Sequence, residues 1–253
     1  MKIKFLGTGT SQGVPVIGCN CDVCQSMSKY DKRLRSSVLV ETADSRFTID
    51  AGPDFRYQML RQNINDIDGI LITHCHKDHI AGLDDVRAFN YLRKKDMPVY
   101  ACKRDQQAIK REFSYAFGEN IYPGVPRFKL MEFDEDAFYI NNTLIKPLKA
   151  LHQRMEVSGF RVGSFAYITD THYIPPSTLA QISDCKVVVL SAVRKQPHPS
   201  HFSLQQAVDI LEFLRPEQGI ITHISHLMGR HEEVNKELPA FIELAYDGME
   251  IRL

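Results

Sequence analysis

The stretch GILITHCHKDH at residues 69–79 constrains this chain more than any other. Four side chains able to hold a cation, His74, His76, Asp78 and His79, fall within six positions directly after an apolar run. Such a run reads as a buried strand, and the loop at its end can fold three imidazoles and a carboxylate inward. These are the ligand types that Zn, Mn or Fe favour. One loop supplies too few ligands for two ions, so partners are expected at other strand ends. Three apolar runs close on a polar residue of suitable chemistry: IKPLKALH on His152, SFAYITD on Asp170 and GIITH on His223.

A second cluster, GCNCDVC at residues 18–24, holds Cys19, Cys21 and Cys24, three of the six cysteines. A closed structural zinc site takes four ligands. His226, three residues after His223 in THISH, supplies the fourth and makes a Cys3His zinc set. This zinc would tie the N-terminal loop to the segment carrying His223. The opening MKIKFLGTGTSQG reads as a strand entering a turn, without the apolar core and cleavage site of a signal peptide. A cytoplasmic protein is therefore expected, with reduced thiols serving metal rather than disulfides. Cys75, Cys102 and Cys185 read as small buried residues.

Strand-like runs recur along the chain, and helical spacing appears between several of them, in DFRYQMLRQN, LDDVRAFNYLRKK, RDQQAIKREFSYAF, SLQQAVDILEFL and HEEVNKELPAFIELA. Pro239 predicts a break in the last. The pattern suits a layered α/β architecture. No repeat or linker interrupts it, so a single domain over residues 1–253 is the reading, with GENIYPGVPRF at 118–128 as the most loop-like excursion. Lys plus Arg and Asp plus Glu both total 31, and the absent net charge argues against a broad attraction to nucleic acid or anionic membrane. No apolar run is long enough to cross a bilayer.

THCHKDH resembles the HxHxDH signature of the metallo-β-lactamase superfamily, with Asp50, His152, Asp170 and His223 following in that family's order. The resemblance covers nearly the whole chain and implies a four-layer αββα sandwich with a binuclear metal site at one edge of its two sheets. It assigns His74, His76 and His152 to one ion and Asp78, His79 and His223 to the other, with Asp170 bridging and Asp50 orienting the histidine loop. Together with the cysteine loop, THISH and the C-terminal YDGMEI, it narrows to the PhnP-like phosphodiesterases.

For a binuclear site of this kind the implied chemistry is hydrolysis by a hydroxide formed from water on two divalent ions, Mn or Zn. The implied substrate is a small phosphodiester, such as a ribosyl 1,2-cyclic or nucleoside 2′,3′-cyclic phosphate. The leaving alkoxide needs a proton, and HPSHFSL offers His201 as general acid, with His198 as fallback and His172 as a weaker pocket residue. Asp78 belongs with the catalytic set. GTGTSQG lacks the Lys-Ser/Thr pair of a P-loop and reads as the turn after the first strand. Three alternatives stay open: a tRNA 3′ processing nuclease, another hydrolase of this fold such as a β-lactamase or lactonase, and a noncatalytic accessory or carrier protein resembling PqqB. The GENIYPGVP stretch is short for a tRNA-binding arm, and the neutral net charge gives no basic footprint for the nuclease. Oligomeric state is not legible, and a homodimer is a guess.

Overall fold

The computed structural model describes residues 1–118 and 122–253. Residues 119–121 of the expected 118–128 excursion lie outside the described residues. In chain order the strands are β1 Lys2–Gly7, β2 Ser37–Glu41, β3 Arg46–Ile49, β4 Gly69–Leu71, β5 Met97–Ala101, β6 Phe128–Glu132, β7 Phe138–Ile140 and β8 Thr143–His152. They continue with β9 Met155–Val162, β10 Phe165–Ile168, β11 Val187–Ser191, β12 Gln218–Thr222, β13 Ile242–Leu244 and β14 Glu250–Arg252. The α-helical segments are α1 Asp22–Gln25, α2 Phe55–Arg61, α3 Lys77–Ile80, α4 Arg87–Arg93, α5 Lys103–Glu112, α6 Pro176–Ile182, α7 Leu204–Leu214 and α8 His231–Glu237.

Among the described residues these strands form two seven-stranded sheets, in the orders β14-β1-β2-β3-β4-β5-β6 and β13-β12-β11-β10-β9-β8-β7. Each is antiparallel toward one edge and parallel toward the other. Strand alternation sorts the apolar side chains into three layers. Ile3, Phe5, Val38, Phe47 and Ile49 of the first sheet meet Phe160, Phe165, Tyr167, Val187 and Val189 of the second. The opposite face of the first sheet, with Leu6, Leu39, Ile70 and Val99, packs on Phe55 and Met59 of α2, Phe89 of α4 and Ile109 of α5. The outer face of the second, with Ala166, Val188 and Leu190, packs on Ile182 of α6, Ala207 and Leu211 of α7 and Val234 of α8. This is the αββα sandwich. It also explains why VVVL in β11 is uniformly apolar: both faces are covered, and burying each such side chain contributes about 1.5–3 kcal/mol.

The helical spacing of HEEVNKELPAFIELA holds only to Glu237; beyond Pro239 the chain turns and Ile242–Leu244 becomes edge strand β13. The proline has no N–H for the helix, and pairing with β12 satisfies the backbone instead. Among the described residues no helix is long and apolar enough to cross a membrane.

Candidate metal centre

The ligand candidates gather at one end of both sheets. Asp50 follows β3, the His74–His79 loop follows β4, His152 closes β8, Asp170 follows β10 and His223 follows β12. Three of them, Asp50, Asp170 and His223, have φ of +66°, +52° and +56°. Non-glycine residues pay strain in this left-handed region, with Asp and His among the more tolerant types, and such strain concentrates at functional sites. The turn swings each strand's last side chain into the gap between the sheets. Gly52 completes the arrangement: a Cβ there would lie 2.0 Å from the Asp78 carbonyl oxygen, so only glycine lets the segment after β3 lie against the Asp78 loop.

Ligand-capable atoms fall within 4.8 Å of one another in three overlapping sets: Asp78, His79, Asp170 and His223; His74, His76 and Asp170; and His152, Asp170 and His201. Asp170 is common to all three. His152, grouped with His74 and His76 by the resemblance, falls in the set with His201, its ring 5.2 Å from His76 and 5.9 Å from His74.

Hydrogen bonds fix which ring nitrogens face the centre. His152 Nδ1–H donates to the Ser200 carbonyl at 2.9 Å, leaving Nε2 for the gap. His79 Nδ1–H donates to Asp50 Oδ2 at 2.7 Å, and its Nε2, 3.2 Å from Asp78 and 3.4 Å from Asp170, is buried without a hydrogen-bond partner. A buried imidazole nitrogen held this way among carboxylates is suited to a cation. Asp50 itself is fully buried and also accepts from the Thr73 N–H at 2.9 Å and the Thr73 hydroxyl.

The electrostatics point the same way. Burial alone would keep His79 neutral, but Asp78, Asp170 and Asp50 push its pKa well above the ordinary histidine value. Burial would raise Asp78 and Asp170, yet His79 and His223 hold both carboxyls below the usual range. Three buried carboxylates thus draw positive charge into one small space, the charge a divalent ion supplies when bound. The donor set fits such ions.

His201 lies in the same wall, its ring 4.6 Å from His152 and 5.4 Å from His223. Its Nδ1 is buried without a hydrogen-bond partner, and burial brings its pKa down to about 3, so the resting imidazole is neutral. His198 stands one ring farther out, 5.0 Å from His201. His172 turns away: its Nδ1 lies 2.8 Å from the Leu151 carbonyl and 3.1 Å from the Gln153 N–H, fastening the β8–β9 hairpin. A capping box at Ser203 and Gln206 starts α7 two residues after His201 and anchors this wall, worth about 1 kcal/mol.

Cys19, Cys21, Cys24 and His226 meet as a separate set. His226 Nδ1 is 3.3 Å from the Cys19 sulfur and 3.4 Å from that of Cys21. Zinc bonds of about 2.3 Å to sulfur and 2.0 Å to nitrogen at a tetrahedral angle put the two atoms roughly 3.5 Å apart, so the spacing fits zinc. The Cys24 N–H and then His226 lower the Cys21 thiol to about 6, while burial pushes Cys24 up to about 11. Elsewhere Cys185 is buried, but Cys75 and Cys102 are only half-buried, the Cys102 thiol donating to Asp105 at 3.0 Å.

Several supporting residues escaped the sequence reading. Ser36 hydroxyl lies 3.2 Å from His223 Nδ1, and Thr73 hydroxyl 3.0 Å from His74 Nδ1. Asp247, in the YDGMEI motif, accepts from the Thr8 hydroxyl and the Leu34 N–H, while the Ile224 N–H donates to the Thr8 carbonyl at 2.8 Å and so places the turn after β1 beside the His223 segment. Buried Arg33 joins the same network through Thr8, the Ala245 carbonyl and His231. Only Asp247 had a signal, its place in YDGMEI.

Residues 45–224 match a family model described as a beta-lactamase superfamily domain. The crystal structure of a new diphosphatase from the PhnP family is 38% identical, superposes with a TM-score of 0.93, and is matched over 100% of this chain and 97% of that one. Among curated proteins, an octanoyltransferase of Porphyromonas gingivalis is 37% identical over 99% of this chain and 51% of its own length. The exodeoxyribonuclease YycJ of Bacillus anthracis is 28% identical over 54% of this chain and 50% of its own. The chain spans about half the length of the curated relatives it matches.

Proposed function

The chain belongs to the metallo-β-lactamase superfamily, in its PhnP-like group, and from that premise we propose that it is a metal-dependent hydrolase of small phosphodiesters, linear or cyclic. The observation that carries this reading is Asp170, one carboxylate shared by three ligand sets that draw on both sheets. Such an arrangement would suit two cations held close together, a pair that would stabilise both the attacking and the leaving oxygen of an in-line displacement at phosphorus. His74, His76, His152, Asp78, His79 and His223 would hold the pair with Asp170 between, and Cys19, Cys21, Cys24 and His226 a structural zinc.

Divalent ions supply charge neutralisation of the phosphoryl oxygens and activation of water. The chain's own residues do the rest. Asp50 and Ser200 orient His79 and His152 through their Nδ1 protons. His201, neutral at rest, needs the negative charge of a bound phosphate beside it to take up the proton that it gives to a leaving alkoxide. Its position between His152 and His223 puts that proton next to the reacting group.

The octanoyltransferase name belongs to a protein of which this chain spans about half. Cys75, the thiol in the ligand loop, has its pKa raised by burial, the reverse of an activated nucleophile. A noncatalytic carrier would bind metal through the same ligands without turnover.

The test is hydrolysis of a nucleoside 2′,3′-cyclic phosphate, a linear aryl phosphodiester and a β-lactam by metal-stripped protein reloaded with Mn or Zn. Metal-dependent turnover confined to the phosphodiesters is expected. Metal binding with no phosphodiester turnover would move the protein to another hydrolase class or to a carrier.

A further inference from the structure

The cysteine set is built in two unequal parts. Cys24 is buried, whereas Cys19 and Cys21 are half-buried, and Cys21 sits between exposed Asn20 and Asp22. A thiolate within reach of solvent is open to oxidants, while a buried one is shielded. Cys21 caps the single helical turn α1, and Cys24 follows three residues later on the same face. The ligand atoms of the whole set lie within 4.8 Å of one another. Residues three apart on a helical turn hold their Cβ atoms about 5–6 Å apart, and a disulfide needs about 4 Å. A small shift therefore closes a bond between Cys21 and Cys24.

The set is also tied to the metal centre. The Val16 N–H donates to the Cys24 sulfur at 3.3 Å, and the Cys19 N–H to the Val16 carbonyl at 3.1 Å. On the other side, two residues before His226, the Ile224 N–H donates to the Thr8 carbonyl at 2.8 Å and the Ile224 carbonyl accepts from the Thr10 N–H at 3.2 Å. Between these contacts the Gly9 carbonyl accepts from the Ser36 hydroxyl at 2.9 Å, and that hydroxyl lies 3.2 Å from His223 Nδ1. Whatever clamps the cysteine loop to His226 thus also holds a neighbour of His223 in place.

We propose that Cys21 and Cys24 are a thiol–disulfide switch: a hydroperoxide oxidises the pair, the cysteine set gives up its zinc, and the metal centre binds its cations more weakly. The inference rests on the zinc reading of this set and not on the substrate of the centre. The Cys21 sulfur attacks one peroxide oxygen, and the O–O bond breaks with its electron pair on the other, which leaves as water or alcohol. The Cys24 sulfur then attacks the sulfur of the resulting sulfenic acid, the S–S bond forms, and hydroxide departs to be protonated by solvent. Two electrons have passed from the sulfur pair to the peroxide. Cys19 and His226 remain, two ligands where a closed zinc site takes four. Without the clamp, Ser36 loses its fixed place beside His223, and orienting contacts of this kind are worth about 10-fold or more in metal affinity.

The experiment treats the full chain, with zinc in the cysteine set and Mn in the centre, with hydrogen peroxide, beside an untreated portion. A chromogenic zinc chelator should read one equivalent released, and peptide mass mapping should find Cys21 joined to Cys24 with Cys75, Cys102 and Cys185 still reduced. After the peroxide is removed, the centre ions stay bound at saturating Mn, while calorimetric titration should read an Mn affinity about 10-fold weaker. Dithiothreitol with added zinc should reverse the change. A Cys75→Ala variant should respond as wild type does, since that thiol, in the ligand loop, is the rival target. Zinc retained after oxidation, sulfinic acids in place of the disulfide, Mn affinity unchanged once zinc is gone, or protection by Cys75→Ala would each overturn the switch and leave the zinc site standing. A wild-type chain that takes up no zinc on its cysteines would overturn the zinc site, and the switch with it.

Discussion

Asp50→Asn removes a single charge at a position where the backbone tolerates either residue, and the hydrogen bonds around Asp50 determine its effect. One Asp50 oxygen accepts from the Thr73 N–H at 2.9 Å, and the other from His79 Nδ1–H at 2.7 Å. Asparagine has one oxygen and one NH2. If its oxygen stays on Thr73, whose backbone can only donate, the NH2 faces His79 Nδ1 and that nitrogen must become the acceptor. The imidazole proton then moves to Nε2, the atom aimed at Asp78 and Asp170, where a cation needs a lone pair. Loss of this kind of orienting partner weakens metal binding by 10- to 100-fold, about 1.4–2.7 kcal/mol. Isothermal titration of metal-stripped protein with Mn, at a pH held at 7.5, measures it directly, with circular dichroism to show an intact fold. An Asp50→Asn variant that binds both centre ions with wild-type affinity would refute the orienting role.

Three further outcomes are expected. Cys21→Ser should lose the zinc of the cysteine site while retaining the two centre ions, with a Tm drop of roughly 5–10 °C from about 2–3 kcal/mol at this chain length; metal analysis and calorimetry check both. His201→Ala should slow an alkyl phosphodiester roughly 100-fold and a p-nitrophenyl diester far less, because only the former needs a proton on its leaving group; equal slowing speaks against a general acid. Burial, then Arg33, brings His231 down to about 4, so between about pH 6.5 and 4 the unfolded chain binds a proton that the folded chain does not, and stability falls as pH falls through that window. In urea unfolding of metal-free protein at pH 7 and pH 5, His231→Gln should shed about 1–2 kcal/mol of that loss, less than the full shift because the site is partly solvated.

Much of the centre can be read from residue order alone, and the reason is physical. His152, Asp170 and His223 each follow an uninterrupted apolar run, and a buried strand has no packing use for a terminal imidazole or carboxylate. His226 emerges from counting zinc ligands. The structure gathers these groups within a sandwich whose layers follow from β alternation. What stayed hidden depends on backbone atoms and long-range register. The Ser200 carbonyl on His152 is a main-chain contact that no side-chain pattern announces, and His198's tautomer is set by an N–H two residues on. Strand β13 hid inside helical spacing because Leu238, Phe241 and Ala245 continue the three-and-four rhythm of α8 beyond Pro239. Edge strand β6 buries none of its five side chains fully, with Lys129 and Glu132 exposed, and shows no clean alternation.

The placement of the ligands on both sheets has a mechanical consequence. Asp50 and the His74–His79 loop come from the first sheet, and His152, Asp170 and His223 from the second; the cysteine loop and His226 are divided the same way. A fragment ending after β6 would carry the three cysteines and four of the loop ligands, yet neither complete set. Any cation held at either place therefore acts as a rivet through the sandwich. Residues 1–132 and 133–253 made as separate peptides should reassociate far more readily with Mn and Zn present than in chelator, because the cysteine set and the sets built on His74 and on Asp78 each take ligands from both halves.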